Sequence, residues 1–345
     1  MTRALAAHEA GADLVPHEFS RRDVGPGDVK IEISHSGVCH SDIHLVRGDW
    51  GDQHYPIVPG HEIVGRVTEV GADVTDFAVG DLAGVGVYVD SCRECENCLA
   101  GESNYCHRGM TGTYAVPDHR HGGYTQGGYA SDIVVDHGYV VHVPDSLDLA
   151  GAAPLLCAGI TLYAPLRRFE AGPGKRVGII GLGGLGHMGV KFARAMGAEV
   201  TVISHSPGKE ADAKKLGADH FLLSTDAEQM EAHRYGFDLL INTVSVPIDV
   251  NAYLELLGFR GTLVMVGLAG EPYCFDAPVI LNQGRSITGS MIGPVHQLQE
   301  MLNFSAEHGI HSEIEVITAD YINTAYQRVI DSDVRYRFVI DASTI

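Results

Sequence analysis

Four of the seven cysteines crowd into Cys92, Cys95, Cys98 and Cys106, spaced C-x2-C-x2-C-x7-C. Gaps of two residues let neighbouring thiolates converge on one ion, and four thiolates close a tetrahedral shell with no position open to a substrate. A site of that kind ties down a loop and does no chemistry. The same opening spacing occurs in iron–sulfur proteins, where the fourth cysteine commonly stands before proline. Here Cys106 precedes His107. The spacing favours structural zinc, with an iron–sulfur cluster or free thiols as the alternatives.

A second set is dispersed: Cys39 in Gly37-Val38-Cys39-His40-Ser41-Asp42, His61 in Gly60-His61-Glu62, and Cys157 in Leu155-Leu156-Cys157-Ala158-Gly159. Two thiolates and an imidazole suit a catalytic zinc and leave its fourth position for water or a substrate oxygen. Such an ion is a Lewis acid that stabilises negative charge on oxygen near neutral pH. Taken singly, Cys157 reads as a packed core thiol and His61 as a hydrogen-bonded structural histidine. Their joint occurrence ahead of a glycine loop makes them a candidate ligand set.

That loop is Gly181-Leu182-Gly183-Gly184-Leu185-Gly186. It follows the apolar run Arg176–Ile180 and precedes a helical pattern over Val190–Met196, the strand–turn–helix context in which such glycines bring the backbone to a dinucleotide pyrophosphate. NAD sites place a carboxylate about 20 residues further on to hold the ribose 2′-hydroxyl. The next strand pattern, Glu199–Ile203, ends in Ser204-His205-Ser206 with Lys209 behind it, and no acid stands at its tip. Ser204, His205 and Lys209 would instead hold a 2′-phosphate, which points to NADP(H). Glu210 and the Pro207-Gly208 interruption leave the individual contacts open.

The elements that must position these groups are of two kinds. Before about residue 154, short alternating runs such as Val29–Ile33 and Ile63–Val67 are punctuated by Gly, Pro and Asp, as in an antiparallel β domain. Beyond it, the strand patterns Arg176–Ile180, Glu199–Ile203, Phe221–Leu223, Leu239–Ile241 and Thr262–Val266 alternate with helical stretches, predicting βαβ units and a doubly wound parallel sheet. After about Met291 an amphipathic helix over Gln297–His308 and a closing strand at Arg337–Ile340 suggest a return to the first domain. The expected organisation is a catalytic zinc-binding domain over 1–153 with the cysteine lobe at 92–106, a cofactor domain over 154–290, and a returning segment over 291–345.

Composition narrows the function classes. The 345 residues are 45% hydrophobic, enough for a sizeable core, and carry a formal charge of −20. That charge repels phosphate backbones, so a nucleic-acid partner is not expected despite the clustered cysteines. No apolar run approaches the roughly 18–20 residues that span a bilayer, and Glu9 and Asp13 interrupt the only N-terminal stretch resembling a leader. Few cysteines, clustered, fit metal ligation in a reducing compartment. A cytoplasmic protein without a membrane partner is expected.

At these motifs the chain resembles the zinc-containing medium-chain dehydrogenases, and among them the cinnamyl alcohol dehydrogenase branch. The resemblance runs from about residue 17 to residue 341 and rests on Gly60–Gly65, the cysteine lobe, Gly181–Gly189 and the closing Asp333–Asp341. It implies an α/β fold, with a Rossmann sheet inserted in a β-rich GroES-like catalytic domain, and two zinc ions per chain. It further implies a homodimer that interconverts primary alcohols and aldehydes with NADP(H) and favours reduction; this chain lacks the large aromatic that plant members carry near the Met110 region, so a broad range of aliphatic and aromatic substrates is expected. By the same resemblance Glu62 lies beside the catalytic zinc and can enter its shell, and Asp42 fixes the tautomer of His61. Ser41 would pass a proton toward His44. His40 and Arg337 would face the pyrophosphate and Thr161 the nicotinamide, while Trp50, Met110 and Met291 would fall at substrate-pocket positions. No partner is assigned to Cys274. An NAD-linked alcohol or polyol dehydrogenase is the near alternative, although polyol relatives often carry a carboxylate where this chain has Cys157. A non-catalytic cofactor-binding protein is the distant one, and it would have no need of a complete open ligand set.

Overall fold

A computed structural model describes all residues, 1–345, and divides them into two compact units: Met1–Ile160 with Gly293–Ile345, and Thr161–Ile292. The first junction lies beyond residue 154 for a packing reason. Leu155, Leu156 and Ile160 are fully buried, with Leu156 against Gly84 and Ile160 against Gly293, all within the first unit. Met291 and Ile292 belong to the second unit.

The first unit is organised by the strand Asp28–Gly37. Its Val29, Ile31 and Ile33 are buried while Lys30 and Glu32 turn outward, the period-two pattern of a half-buried strand. One edge pairs antiparallel with Ile63–Val70. The other pairs with Asp132–Asp136 along Asp28–Glu32 and with Arg337–Asp341 along His35–Gly37. The chain's last strand thus closes the sheet of its first segment. Ile314–Ile317 lies outside it in parallel, and Leu82–Val85 and Val140–His142 extend the opposite side. The Cys92–Cys106 lobe is carried beyond a short ladder between Tyr88–Asp90 and Thr111–Gly112.

Close approach of two strands is the reason for one glycine. A Cβ built on Gly65 would lie 2.0 Å from the carbonyl oxygen of Glu32 on the paired strand, and backbone cannot give way there.

The second unit is a six-stranded parallel sheet in the order His220–Leu223, Glu199–Ser204, Arg176–Ile180, Phe237–Asn242, Leu257–Met265 and Ser286–Gly289. Numbered along the chain this is 3-2-1-4-5-6, the Rossmann order. Helices on the crossovers cover the sheet, so its strands read as continuous apolar runs rather than alternations: Val177, Ile179, Ile180, Val200, Val202 and Ile203 are all buried. The helix Gly186–Ala195 packs Met188, Val190, Phe192 and Ala193 inward. No single helix in the chain is long and apolar enough to cross a membrane.

Gly65→Ala is expected to lower stability by about 1–3 kcal/mol, the usual cost of overpacking. Gly183→Ala, whose Cβ would meet nothing within 4 Å, is expected to leave it unchanged. Urea denaturation of both variants checks this, and equal midpoints would contradict the packing argument.

Candidate active site

The dispersed ligand set is assembled by strand pairing. Ser36 pairs with Ile63, and the Gly37 amide donates to the Glu62 carbonyl at 2.9 Å. The chain therefore leaves one strand at Val38-Cys39 beside the point where it enters the next at His61-Glu62. Cys157 arrives on the turn between Ala153–Leu156 and the helix Ala158–Arg168. Ligand atoms of Cys39, His61, Glu62 and Cys157 all lie within 4.8 Å of one another. His61, Glu62 and Cys157 are buried.

Asp42 orients the set. Its fully buried carboxylate accepts the Cys39 amide at 2.8 Å and the Tyr129 hydroxyl at 3.1 Å on Oδ2. On Oδ1 it accepts the Gly60 amide at 3.2 Å and His61 Nδ1 at 3.0 Å. Four donors engage both oxygens. With Nδ1 committed to Asp42, His61 presents Nε2 to the cluster, the arrangement in which a carboxylate fixes the tautomer of a metal-ligating histidine. Burial works against charge on His61, but Asp42 and the Cys39 sulfur more than offset it and hold the imidazole well above its ordinary range.

The donor chemistry fits a zinc ion. A hydrogen bond from Cys157 draws the Cys39 thiol well below its usual range despite burial, while the same pairing, together with burial, pushes Cys157 up. A metal entering here displaces the protons held at Cys157 and at His61 Nε2. Burial pushes the Glu62 carboxyl up to about 7, with Arg337 pulling the other way, and Glu62 Oε2 is buried without a hydrogen-bond partner. An orphaned carboxylate oxygen beside two thiols and an imidazole is a further donor for a metal's exchanging position.

The lobe is also shaped for an ion. Ligand atoms of Cys92, Cys95, Cys98 and Cys106 lie within 4.8 Å of one another, and the Cys92 and Cys98 sulfurs are 3.8 Å apart. A tetrahedron with Zn–S bonds of about 2.3 Å has edges of about 3.8 Å. Backbone amides of Cys92, Cys95 and His107 point at the Cys106, Cys92 and Cys95 sulfurs at 3.5, 3.4 and 3.5 Å, which favours thiolates. The amides lower Cys95 to about 6, and burial raises Cys98 to about 11.

In the second unit the glycine loop leaves the strand Arg176–Ile180 and opens the helix Gly186–Ala195. Gly181 has φ +92°, and a Cβ there would lie 2.8 Å from the Thr243 hydroxyl, which donates to the Ile180 carbonyl at 2.8 Å. A Cβ on Gly186 would stand 2.1 Å from the Gly181 carbonyl oxygen. Those two glycines are required by the turn. Gly183 faces open space, a cradle for a phosphate group at the helix N-terminus. Ser204 ends the strand Glu199–Ser204 and His205 is exposed just beyond it. Lys209 Nζ donates to the Leu182 carbonyl at 2.8 Å, which brings its charge to the glycine loop.

Other residues singled out from the sequence take more particular places. Ser41, half-buried, and His44 lie three apart on one face of the helix His40–Arg47. His44 Nδ1 meets Asp49 Oδ2 at 2.8 Å, and its ring lies between those of His40 and Trp50, with centroids at 4.9 and 5.0 Å. Trp50 is 48% exposed, so its indole covers the His44 ring and is not a packed core group. Met110 is half-buried beside the lobe, Met291 is 46% exposed, and Thr161 is buried in the helix that follows Cys157. Cys274 is exposed and unpaired.

Arg337 is buried, donating from Nη2 to Glu62 and from Nε to the Val38 carbonyl at 3.1 Å. Burial works against its charge, but Glu62 and the neighbouring sulfurs hold it above its ordinary range. Tyr129, Tyr114 and Thr243 escaped sequence reading altogether. The Tyr114 ring stacks on His61 at 5.8 Å, and no motif spacing marks any of the three.

With this geometry in view the class is plain: the chain belongs to the zinc-binding alcohol dehydrogenase family. The model described as "Zinc-binding dehydrogenase" matches residues 184–307, and that described as "Alcohol dehydrogenase GroES-like domain" matches residues 25–145. The chain is 55% identical over 343 residues to NADP-dependent alcohol dehydrogenase C 1 of Mycolicibacterium smegmatis, covering 99% of this chain and 98% of the relative. It is 50% identical over 347 residues to aldehyde reductase YahK of Escherichia coli, covering 99% of each. The solved structure of CAD from Helicobacter pylori complexed with NADP(H) superposes with a TM-score of 0.93 at 39% identity, covering 99% of this chain and 98% of that one.

The two ligand sets should separate on mutation. Cys157→Ala is expected to reduce zinc from two ions per chain to one and to abolish turnover, with the melting temperature nearly unchanged. Cys98→Ser is expected to remove the other ion and to lower thermal stability by several degrees. Elemental analysis beside calorimetry checks both, and an unchanged zinc content in Cys157→Ala would contradict the assignment.

Proposed function

We propose that this chain is a zinc-dependent, NADP(H)-linked oxidoreductase interconverting primary alcohols and aldehydes, working chiefly as an aldehyde reductase. The observation that carries the reading is the open cluster of Cys39, His61, Glu62 and Cys157, with His61 held by Asp42, in a chain whose glycine loop lacks a carboxylate at the following strand tip. Zinc bound there would supply a Lewis acid that draws negative charge onto a carbonyl or hydroxyl oxygen, and NADPH would supply the hydride.

The chain's own residues do the rest. Cys39, His61 and Cys157 hold the metal, and Glu62 stands by with its unpartnered oxygen. Ser41 donates to and accepts from the substrate oxygen, since a hydroxyl does both. In the reductive direction it hands the substrate oxygen a proton and is resupplied from His44, whose Nδ1 is engaged by Asp49 and whose Nε2 is left to exchange protons with solvent; in alcohol oxidation the same path runs outward. Ser204, His205 and Lys209 present hydroxyl, imidazole and ammonium groups where a ribose 2′-phosphate would sit. The 55% identity to a relative named as NADP-dependent and the 50% identity to one named an aldehyde reductase support cofactor and direction. A broad range of aliphatic and aromatic aldehydes is part of the reading.

A homodimer joined along the outer edge of Ser286–Gly289 completes it. That strand ends the parallel sheet, and Phe275 and Leu281 in the preceding segment are exposed, as an edge awaiting a partner would be. Seven cysteines without a disulfide suit a reducing cytoplasm.

Oxidation of NADPH and NADH measured over aldehydes of graded size, with a chelator control, tests the reading. A kcat/KM at least about tenfold higher with NADPH is expected, which corresponds to about 1.4 kcal/mol of cofactor discrimination, and Lys209→Ala should narrow the ratio. Equal or better use of NADH, or turnover that survives complete zinc removal, would overturn it.

A further inference from the structure

We propose that Tyr129 is a positioning residue for the open metal centre, acting through Asp42; the proposal rests on the zinc reading of Cys39, His61 and Cys157. Of the four groups that donate to the Asp42 carboxylate, three belong to the ligands or their chain neighbours: the Cys39 amide, the Gly60 amide and His61 Nδ1. Only the fourth comes from elsewhere. The Tyr129 hydroxyl reaches Oδ2 at 3.1 Å across 87 residues of sequence, and both side chains are fully buried.

Tyr129 is held as firmly as the group it holds. Its amide donates to the Pro59 carbonyl at 2.9 Å, its carbonyl accepts the Leu5 amide at 2.9 Å, and the amides of Gly127 and Gly128 donate to Val58 and Gly60 at 2.7 and 2.9 Å. The segment before His61 is thereby laced to the segment carrying Tyr129. Gly60 shows the same dependence from the other side. It has φ +101°, and a Cβ there would lie 2.5 Å from Cδ1 of the Tyr129 ring. The residue before the histidine ligand is glycine because the tyrosine ring occupies the space a side chain would need.

The physical consequence follows from counting donors. Oδ1 sets the direction of His61 only while Oδ2 is pinned, because the two oxygens turn together about one bond. Without the hydroxyl, Oδ2 keeps only the Cys39 amide, one lone pair is left unmatched in a dry site, and the plane of the group is held less tightly. The lost precision then appears at Nε2 of His61, the atom that meets the metal. Substitutions of this outer kind commonly cost about 10–100-fold in metal affinity.

Tyr129→Phe in the zinc-loaded full-length protein tests the idea. The principal readout is the rate at which zinc passes to a chromogenic chelator, followed as two phases for the two sites. The second readout is the visible d–d spectrum after cobalt replaces zinc at the open site. Tyr326→Phe is the control: its hydroxyl is buried in the same cluster, within reach of Tyr129, and makes no bond to Asp42.

Tyr129→Phe is expected to release the open-site ion about 10–100-fold faster, to alter the cobalt spectrum, and to leave the lobe ion and NADPH affinity as in the wild type, with Tyr326→Phe behaving as wild type throughout. Release within twofold of wild type and an unchanged spectrum would overturn the role of Tyr129. An equal effect in Tyr326→Phe would also overturn it, because an effect of that size would then not require a bond to Asp42. A wild-type protein holding fewer than two zinc ions per chain would overturn the zinc reading itself, a result separable from the others because it precedes any mutation.

Discussion

The antiparallel pairing of Asp28–Gly37 with Ile63–Val70 is the constraint on which the site depends. It ends with the Gly37 amide on the Glu62 carbonyl, so the segments carrying Cys39 and His61 diverge from adjacent strands at one point. Neither segment could hold its ligand alone, since both lie on loops, and the sheet supplies the rigidity they lack. Gly37 marks how tight that point is: a Cβ there would lie 1.9 Å from Glu62 Oε2. The last strand, Arg337–Asp341, then closes on Asp28–Gly37 and buries Arg337 against Glu62. The carboxylate nearest the metal set is thus governed by the far end of the chain.

Onto that frame Asp42 adds the polar order. One carboxylate with four donors links Cys39, Gly60, His61 and Tyr129, and a buried network of that kind is stiff only while every member is satisfied. The Cys92–Cys106 lobe is built on another principle. Its two-residue gaps and inward amides make a closed four-sulfur shell with no route for a substrate, consistent with a loop staple.

Legibility in the sequence followed locality. The βαβ unit around Gly181–Gly186 was readable because its strand, turn and helix are contiguous and two of its glycines are sterically required. The cysteine lobe was readable because its donors share one short loop. Cys39, His61 and Cys157 were readable only together and with a family resemblance, since the pairing that gathers them is non-local. What escaped is non-local without a pattern. Tyr129 lies 87 residues from Asp42, and its hydroxyl is one of fourteen tyrosine hydroxyls in the chain. The ion pair of Arg337 with Glu62 is of the same kind, because it exists only once the last strand has closed on Asp28–Gly37. The stacking of Trp50 on His44 is not legible either, since nothing local in the sequence reveals it. The return of the tail to the first unit was only suggested by a change of pattern near Met291, and the strand register made it explicit.

The central claim is that one chain holds two zinc ions in unlike shells, one closed and one open. Anomalous diffraction at the zinc edge from crystals of the purified protein measures this directly. Two peaks per chain are predicted, one among the sulfurs of Cys92, Cys95, Cys98 and Cys106, the other against the sulfurs of Cys39 and Cys157 and Nε2 of His61. A single peak in the lobe, or a second ion bound away from His61 Nε2, would contradict the account.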